Sequence, residues 1–213
     1  LGVSIPQGGH LISAYAIGVV VGGPVLAIQT AKRERRTLAL MLLGLFAVGH
    51  LLSFFAPNYE TMLAARFISG LPHGAFFGVA ALMAAQMAGP LRRGKAISAV
   101  LAGLAVANVI GVPAVTAIGQ QFGWRWMFAI VLVLTVVTMI AVRVFAPRQE
   151  PMAGASKRSE LKGLGSKRLW VSVAMAVIGF SGMFALYSYI SPVMTDVAGL
   201  RVELLPFVVG LYG

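Results

Sequence analysis

Two ionisable side chains, Arg66 and His73, stand seven residues apart in a run that is otherwise almost wholly apolar, "RFISGLPHGAFFGVAA" from Arg66 to Ala81. Seven residues is about two turns of α-helix, so both project from one face if the run is helical. A guanidinium keeps its charge, and among apolar groups it must hold a partner, an anionic ligand or water. An imidazole, with an unperturbed pKa of about 6.5, exchanges its proton near neutral pH. The pair could therefore bind a polar group and move a proton beside it. The competing readings are a snorkelling arginine and a neutral histidine hydrogen-bonded in packing. Gly70, Gly74 and Gly78 fall near the same face and would let a second helix approach closely. Pro72 removes one backbone donor and is expected to bend the run.

Other chemistry is sparse. The sequence has no HExxH, no acidic metal cluster, no Ser/His/Asp arrangement and no cysteine, which leaves no catalytic residue, metal ligand or cofactor site to expect. All six acids, Glu34, Glu60, Glu150, Glu160, Asp196 and Glu203, fall in polar breaks or at the edges of apolar runs. A carboxylate for proton exchange within the apolar runs is thus absent from this sequence; such a group would lie in a helix upstream or downstream of it, or His73 would take its place. Asn108, Tyr187 and Tyr189 could line a substrate pathway, with interhelical hydrogen bonding and an interfacial belt as their alternatives. Phe76 and Phe77, 100° apart on a helix, are not expected to face one cavity together.

These residues must be positioned by helices in lipid. The chain is 59% hydrophobic and 11% charged, with a mean hydropathy of +0.89, whereas soluble domains carry about 25% charged residues. Apolar runs long enough to cross a bilayer core occur at about 8–28, 38–56, 62–86, 96–118, 127–146 and 169–193. A seventh begins near Leu204. The runs are continuous rather than alternating, which favours helices over a transmembrane barrel.

The net charge of +11 is distributed by loop. Lys32, Arg33, Arg35 and Arg36 lie in the first break, Arg92, Arg93 and Lys95 in the third, and seven more cations at or in the fifth, against only Arg125 and Arg201 in the others. This bias places the basic loops in the cytoplasm and differs from a nucleic-acid footprint, which gathers on one face. Residues 1–7 are then expected outside the cell, with at least one further span upstream, so that the sequence reads as a fragment. The polar stretch 147–168 is expected to be a cytoplasmic linker between an N-terminal bundle, 1–146, and the start of a second bundle, 169–213.

The stretch Arg66-x3-Gly70, followed by glycines, resembles the fourth-helix motif of major facilitator superfamily transporters, most closely the bacterial drug and sugar efflux (arabinose-type) subgroup. "GGPVLAIQTAKRERR" (Gly22–Arg36) is similar to that superfamily's basic loop between helices two and three, where Lys32, Arg35 and Arg36 match its cations. Ala31 and Glu34 stand where Asp and Gly are usual. "AGPLRRGKAISAVLAGLAVANVIGVPAVTAIGQQFGWRWMF" (Ala88–Phe128) resembles the fifth helix and the loop beyond it. Gly111 and Pro113 partly match the antiporter motif there, with Val112 intervening.

The resemblance implies an all-α membrane protein of two six-helix bundles, of which this chain covers about helices two to eight. It implies a monomeric secondary transporter in the bacterial cytoplasmic (inner) membrane, exporting small organic compounds, drugs or sugars, by proton antiport with alternating access. Its partners would be the substrate, protons and lipid, with no cofactor. Arg66 would serve proton or substrate coupling. Proton-coupled uptake by the same fold is the alternative, and a polytopic membrane enzyme a more distant one.

Overall fold

The computed structural model describes residues 2–149 and 164–212. Helix α1 (Ile5–Thr30) starts on a capping box, in which the Ser4 hydroxyl accepts from the Gln7 amide and the Gln7 side chain accepts from the Ser4 amide. Helix α2 (Arg35–Phe55) is capped by Glu34, and α3 (Tyr59–Ala88) by Asn58 with Thr61. Each cap satisfies amide donors that the first turn leaves unpaired.

The fourth span is composite. A 3-10 turn, Pro90–Arg92, leads into α4 (Arg93–Val106), then a π-helical stretch Ala107–Gly111, then α5 (Val112–Phe122). Pro113 explains the interruption: it has no N–H for the Val109 carbonyl four residues back. Helix α6 (Trp124–Phe145) follows after Gly123, whose φ of 95° lies where side chains are disfavoured. Beyond residue 164 come α7 (Lys167–Ser188), a short turn Ile190–Pro192, a second π-helical turn Val193–Val197, and α8 (Leu205–Tyr212). Among the described residues, six spans are long and apolar enough to cross a membrane. Each begins a few residues before its expected bound, because a first turn of polar residues precedes the apolar run, whereas the second, fifth and sixth end short of theirs, at Phe55, Phe145 and Ser188.

Helix α3 is the centre of the packing, with α1 on one side and α2 on the other, while α6 packs on α2. The α1–α3 seam is built from glycine on both sides. A Cβ on Gly18 would collide with the Phe67 carbonyl, on Gly22 with the Leu71 carbonyl, and on Gly70 with the Tyr15 carbonyl. At the α2–α3 seam, a Cβ on Gly49 would stand 2.6 Å from the Ser69 Cα. Backbones in contact maximise dispersion where lipid supplies no hydrophobic drive. Leu38, Leu42 and Leu43 of α2 and Met62 and Ala65 of α3 complete the buried core. Helices α4, α5 and α7 bury no residue, and the apolar side chains of α7 are exposed almost throughout.

The two ends of the bundle are tied differently. At the end away from the basic loops the Arg125 guanidinium donates to the Ala56 carbonyl (3.1 Å), closing the C-terminus of α2, and lies over the Trp124 ring at 4.3 Å. At the basic end, the Glu34 carboxylate accepts from the Arg36, Thr37 and Gln149 amides at 2.9, 2.9 and 3.1 Å and from the Thr37 hydroxyl. The Arg35 amide donates to the Gln149 carbonyl (3.1 Å), and the Arg36 guanidinium to the Ala146 carbonyl (3.1 Å). The chain leaving α6 is therefore held against the start of α2. Most of the expected linker, 147–168, lies outside the described residues.

Candidate functional site

Helix α3 presents Arg66, Gly70, His73 and Gly74 at spacings of four, seven and eight residues, and α1 presents Tyr15, Gly18 and Gly22 at three and seven. Both sets fall on single helix faces, and the glycines bring those faces together. The Tyr15 side chain then lies between the two ionisable groups of α3. Its ring covers the Arg66 guanidinium, with the guanidinium carbon 4.3 Å from the ring centroid. Its hydroxyl is 2.6 Å from His73 Nδ1. Phe128 of α6 flanks the same guanidinium at 5.9 Å. The cation is thus held between two aromatic faces, a favourable arrangement for a desolvated charge.

His73 is further enclosed by Phe77, 5.2 Å between ring centroids, and by Phe46 of α2 at 6.4 Å. Phe46 also stacks against His50, 4.2 Å away, and His50 Nδ1 is hydrogen-bonded to the Phe46 carbonyl at 3.0 Å. His50 is buried within the bundle. Among the described residues the one ion pair is Arg201–Glu203, far along the chain at 3.5 Å; Arg66 has no carboxylate partner there.

Next to this cluster, α2, α3 and α6 line a half-open cavity of about 260 Å³. Phe46, His73, Phe76, Phe77, Thr135 and Thr138 contribute to its wall. The two threonine hydroxyls donate to the Val131 and Leu134 carbonyls of their own helix, which leaves the imidazole as the polar side chain open to the cavity. Phe76 and Phe77 both line it, contrary to expectation. The cavity extends around α3 from α2 to α6, and two long aromatic side chains reach it from adjacent positions.

The remaining sequence candidates are dispersed. Asn108 sits in the π-helical stretch, partly exposed and without a side-chain hydrogen bond among the described residues. A Cβ on Gly74 would meet Val19 Cγ1 at 3.3 Å, a looser contact than at Gly70. Gly78 takes no part in the seam, since a Cβ there would meet nothing within 4 Å; α3 has by then diverged from its neighbour. Gly111 has only Ala107 nearby, at 3.9 Å, whereas Pro113 and the Val109 carbonyl face Gly210 of α8 at 3.0 and 3.3 Å from its Cβ position. Tyr187 stacks on Tyr212, 5.6 Å between centroids, and the Tyr189 hydroxyl lies 2.5 Å from where a Cβ of Gly9 would stand. Of these two tyrosine contacts, only the second joins the first and second parts of the chain. Pro72 is fully buried inside an uninterrupted α3.

The basic loop also differs from a uniformly solvated run of cations. Lys32 is exposed, Arg36 is half-buried, and Arg35 is the first residue of α2, 8% exposed, with its Nε unpaired. Tyr15 is the functional-site residue that the sequence reading passes over. Its signal is present: a phenol in the middle of an apolar span needs a partner for its hydroxyl, and it shares a helical face with Gly18 and Gly22.

The family model described as Major Facilitator Superfamily matches residues 1–213. A putative transporter, AraJ, of Escherichia coli is 33% identical over 100% of this chain and 54% of its own length. The inner membrane transport protein YdhP of Escherichia coli is 37% identical over 92% of this chain and 50% of its own. A probable sugar efflux transporter of Pasteurella multocida is 30% identical over 98% of this chain and 52% of its own. The chain spans about half the length of the curated relatives it matches.

Proposed function

Because the chain belongs to the Major Facilitator Superfamily, as a multi-pass membrane protein of the efflux-type transporters rather than an enzyme, we propose that it exports small organic compounds across the bacterial inner membrane by proton antiport. The observation that carries this reading is the Arg66 guanidinium, held between Tyr15 and Phe128 without a carboxylate partner among the described residues and one hydroxyl away from an imidazole. A cation so placed attracts the polar or anionic end of a substrate. The neighbouring imidazole can gain and lose its proton as the occupancy of that site changes, because the two groups are close enough for their charges to interact. The aromatic and aliphatic walls suit drugs or sugars with an apolar face.

Alternating access would come from two bundles rocking about a midplane site. The N-terminal bundle is 1–146, the linker 147–168 and the second bundle begins at 169. Asn108, Tyr187 and Tyr189 are assigned to the substrate pathway, and Gly70, Gly74, Gly111 and Pro113 to packing and gating. The working unit is a monomer.

The test is proton-gradient-driven export by inverted vesicles containing the complete protein, with and without an uncoupler. Export that persists undiminished after the gradient is collapsed excludes antiport. Accumulation in the cell-inward direction under the same gradient would replace export by uptake.

A further inference from the structure

The function above leaves the Tyr15 hydroxyl, in the α1–α3 seam, without a role. It lies 2.6 Å from His73 Nδ1 and bonds to no other group among the described residues. A hydroxyl with a single partner donates its proton to that partner, because an unshared donor in a part-buried site forfeits a hydrogen bond. His73 Nδ1 is then the acceptor, and the neutral ring carries its proton on Nε2, the nitrogen directed away from Tyr15. The same ring that makes this bond covers Arg66 at 4.3 Å. One side chain on α1 therefore sets the position of both ionisable groups on α3.

We infer that Tyr15 is the positioning residue of this site: its hydroxyl selects the Nε2–H tautomer of His73, and its ring fixes the Arg66 guanidinium. The inference rests on the transport role proposed for Arg66 and His73 and adds the group that couples them. A phenol suits this position because its hydroxyl can reverse role. With neutral His73 it donates to Nδ1. When the imidazole gains a proton at Nδ1, the hydroxyl turns and accepts from it. Proton uptake thereby reverses the hydroxyl of the side chain whose ring is packed on Arg66. The ionisable and charged groups around His73 are Tyr15 on α1, His50 on α2 and Arg66 on α3; α6 contributes Phe128 and Thr135, which do not titrate. The glycine contacts beside Tyr15 serve the same end, since Gly70 lies directly against the Tyr15 carbonyl.

Two substitutions separate the two parts of the side chain. Tyr15→Phe keeps the ring over Arg66 and removes the hydroxyl; Tyr15→Leu removes both. In the complete protein, nitrogen NMR of labelled histidine reports the His73 tautomer and its titration without reference to transport, with His73→Ala assigning the signal. The wild type is expected to show one tautomer with Nδ1 as acceptor. Tyr15→Phe should give mixed tautomers and displace the titration midpoint by about half to one pH unit, the size of one neutral hydrogen bond. Export should shift its pH profile by the same amount in Tyr15→Phe, and Tyr15→Leu should in addition weaken substrate binding about tenfold. Identical tautomer populations and midpoint in wild type and Tyr15→Phe overturn the inference. A changed tautomer with an export profile that ignores both Tyr15→Phe and His73→Ala leaves the positioning intact and removes the histidine from transport.

Discussion

Gly70 of α3 and Tyr15 of α1 meet backbone to backbone: the position of a Cβ on Gly70 is already occupied by the Tyr15 carbonyl oxygen. This contact brings the Tyr15 ring over Arg66 and its hydroxyl to His73. The seam and the site are thus one arrangement, in which the small residues determine how close the chemical ones come.

Gly70→Ala and Gly22→Ala should each destabilise the folded protein by about 1–3 kcal/mol, the cost of forcing extra volume into closed packing. Gly78→Ala should be tolerated, since nothing lies within 4 Å of its Cβ position. Thermal unfolding of purified protein in detergent measures this. Equal stability of all three variants would show that the α1–α3 seam is not closed in the membrane.

Arg66→Ala should abolish gradient-driven export while the protein still folds. Arg66→Lys should retain a minority of it, because a lysine ammonium keeps the charge but loses the planar group that stacks between Tyr15 and Phe128. The measurement is initial export rate per folded molecule. Wild-type rates in Arg66→Lys would show that the charge alone matters, and wild-type rates in Arg66→Ala that the guanidinium has no part in transport.

Glu34 gives a pH prediction outside the membrane. Burial opposes its ionisation, but hydrogen bonds from the Thr37 side chain and from the Gln149, Thr37 and Arg36 amides outweigh it and hold the carboxyl at about 2, against an ordinary 4.5. Its folded value is depressed, so its stabilisation is present above pH about 4.5 and is lost as pH falls toward about 2. Glu34→Gln should remove that part of the acid sensitivity of unfolding. The group is largely exposed, so the effect is expected to be small. An unchanged acid limb in Glu34→Gln would mean that the carboxylate does not hold the exit of α6.

Single cysteines replacing Lys32, Arg93 or Lys95 should react with an impermeant thiol reagent only in broken or inverted membranes, since the loop charge bias predicts a cytoplasmic position for them. These 213 residues add no cysteine of their own to the background. Ready labelling of intact cells would invert the orientation of every helix.

Class, span number and the pairing of Arg66 with His73 were legible in the sequence because they depend on local quantities. A run of some twenty apolar residues has few options in lipid, and residues seven apart on a helix share a face wherever that helix lies. The family motif around Arg66 was likewise a local pattern, read along one helix. Tyr15 was not legible in the same way. It stands 58 positions from His73, and nothing local to either residue specifies which helix packs on which, or at what rotation. Nor did the sequence distinguish Gly70, at the contact, from Gly78, beyond it; both lie near one face of α3, and only the divergence of α1 and α3 separates their roles. Arg35 is a third case. It reads as one of four loop cations, yet it is buried at the start of α2 because Glu34 caps that helix and the exit of α6 folds over it. Composition and periodicity determine what each segment must become, while contacts between segments depend on the joint fit of several helices, a property no single segment carries.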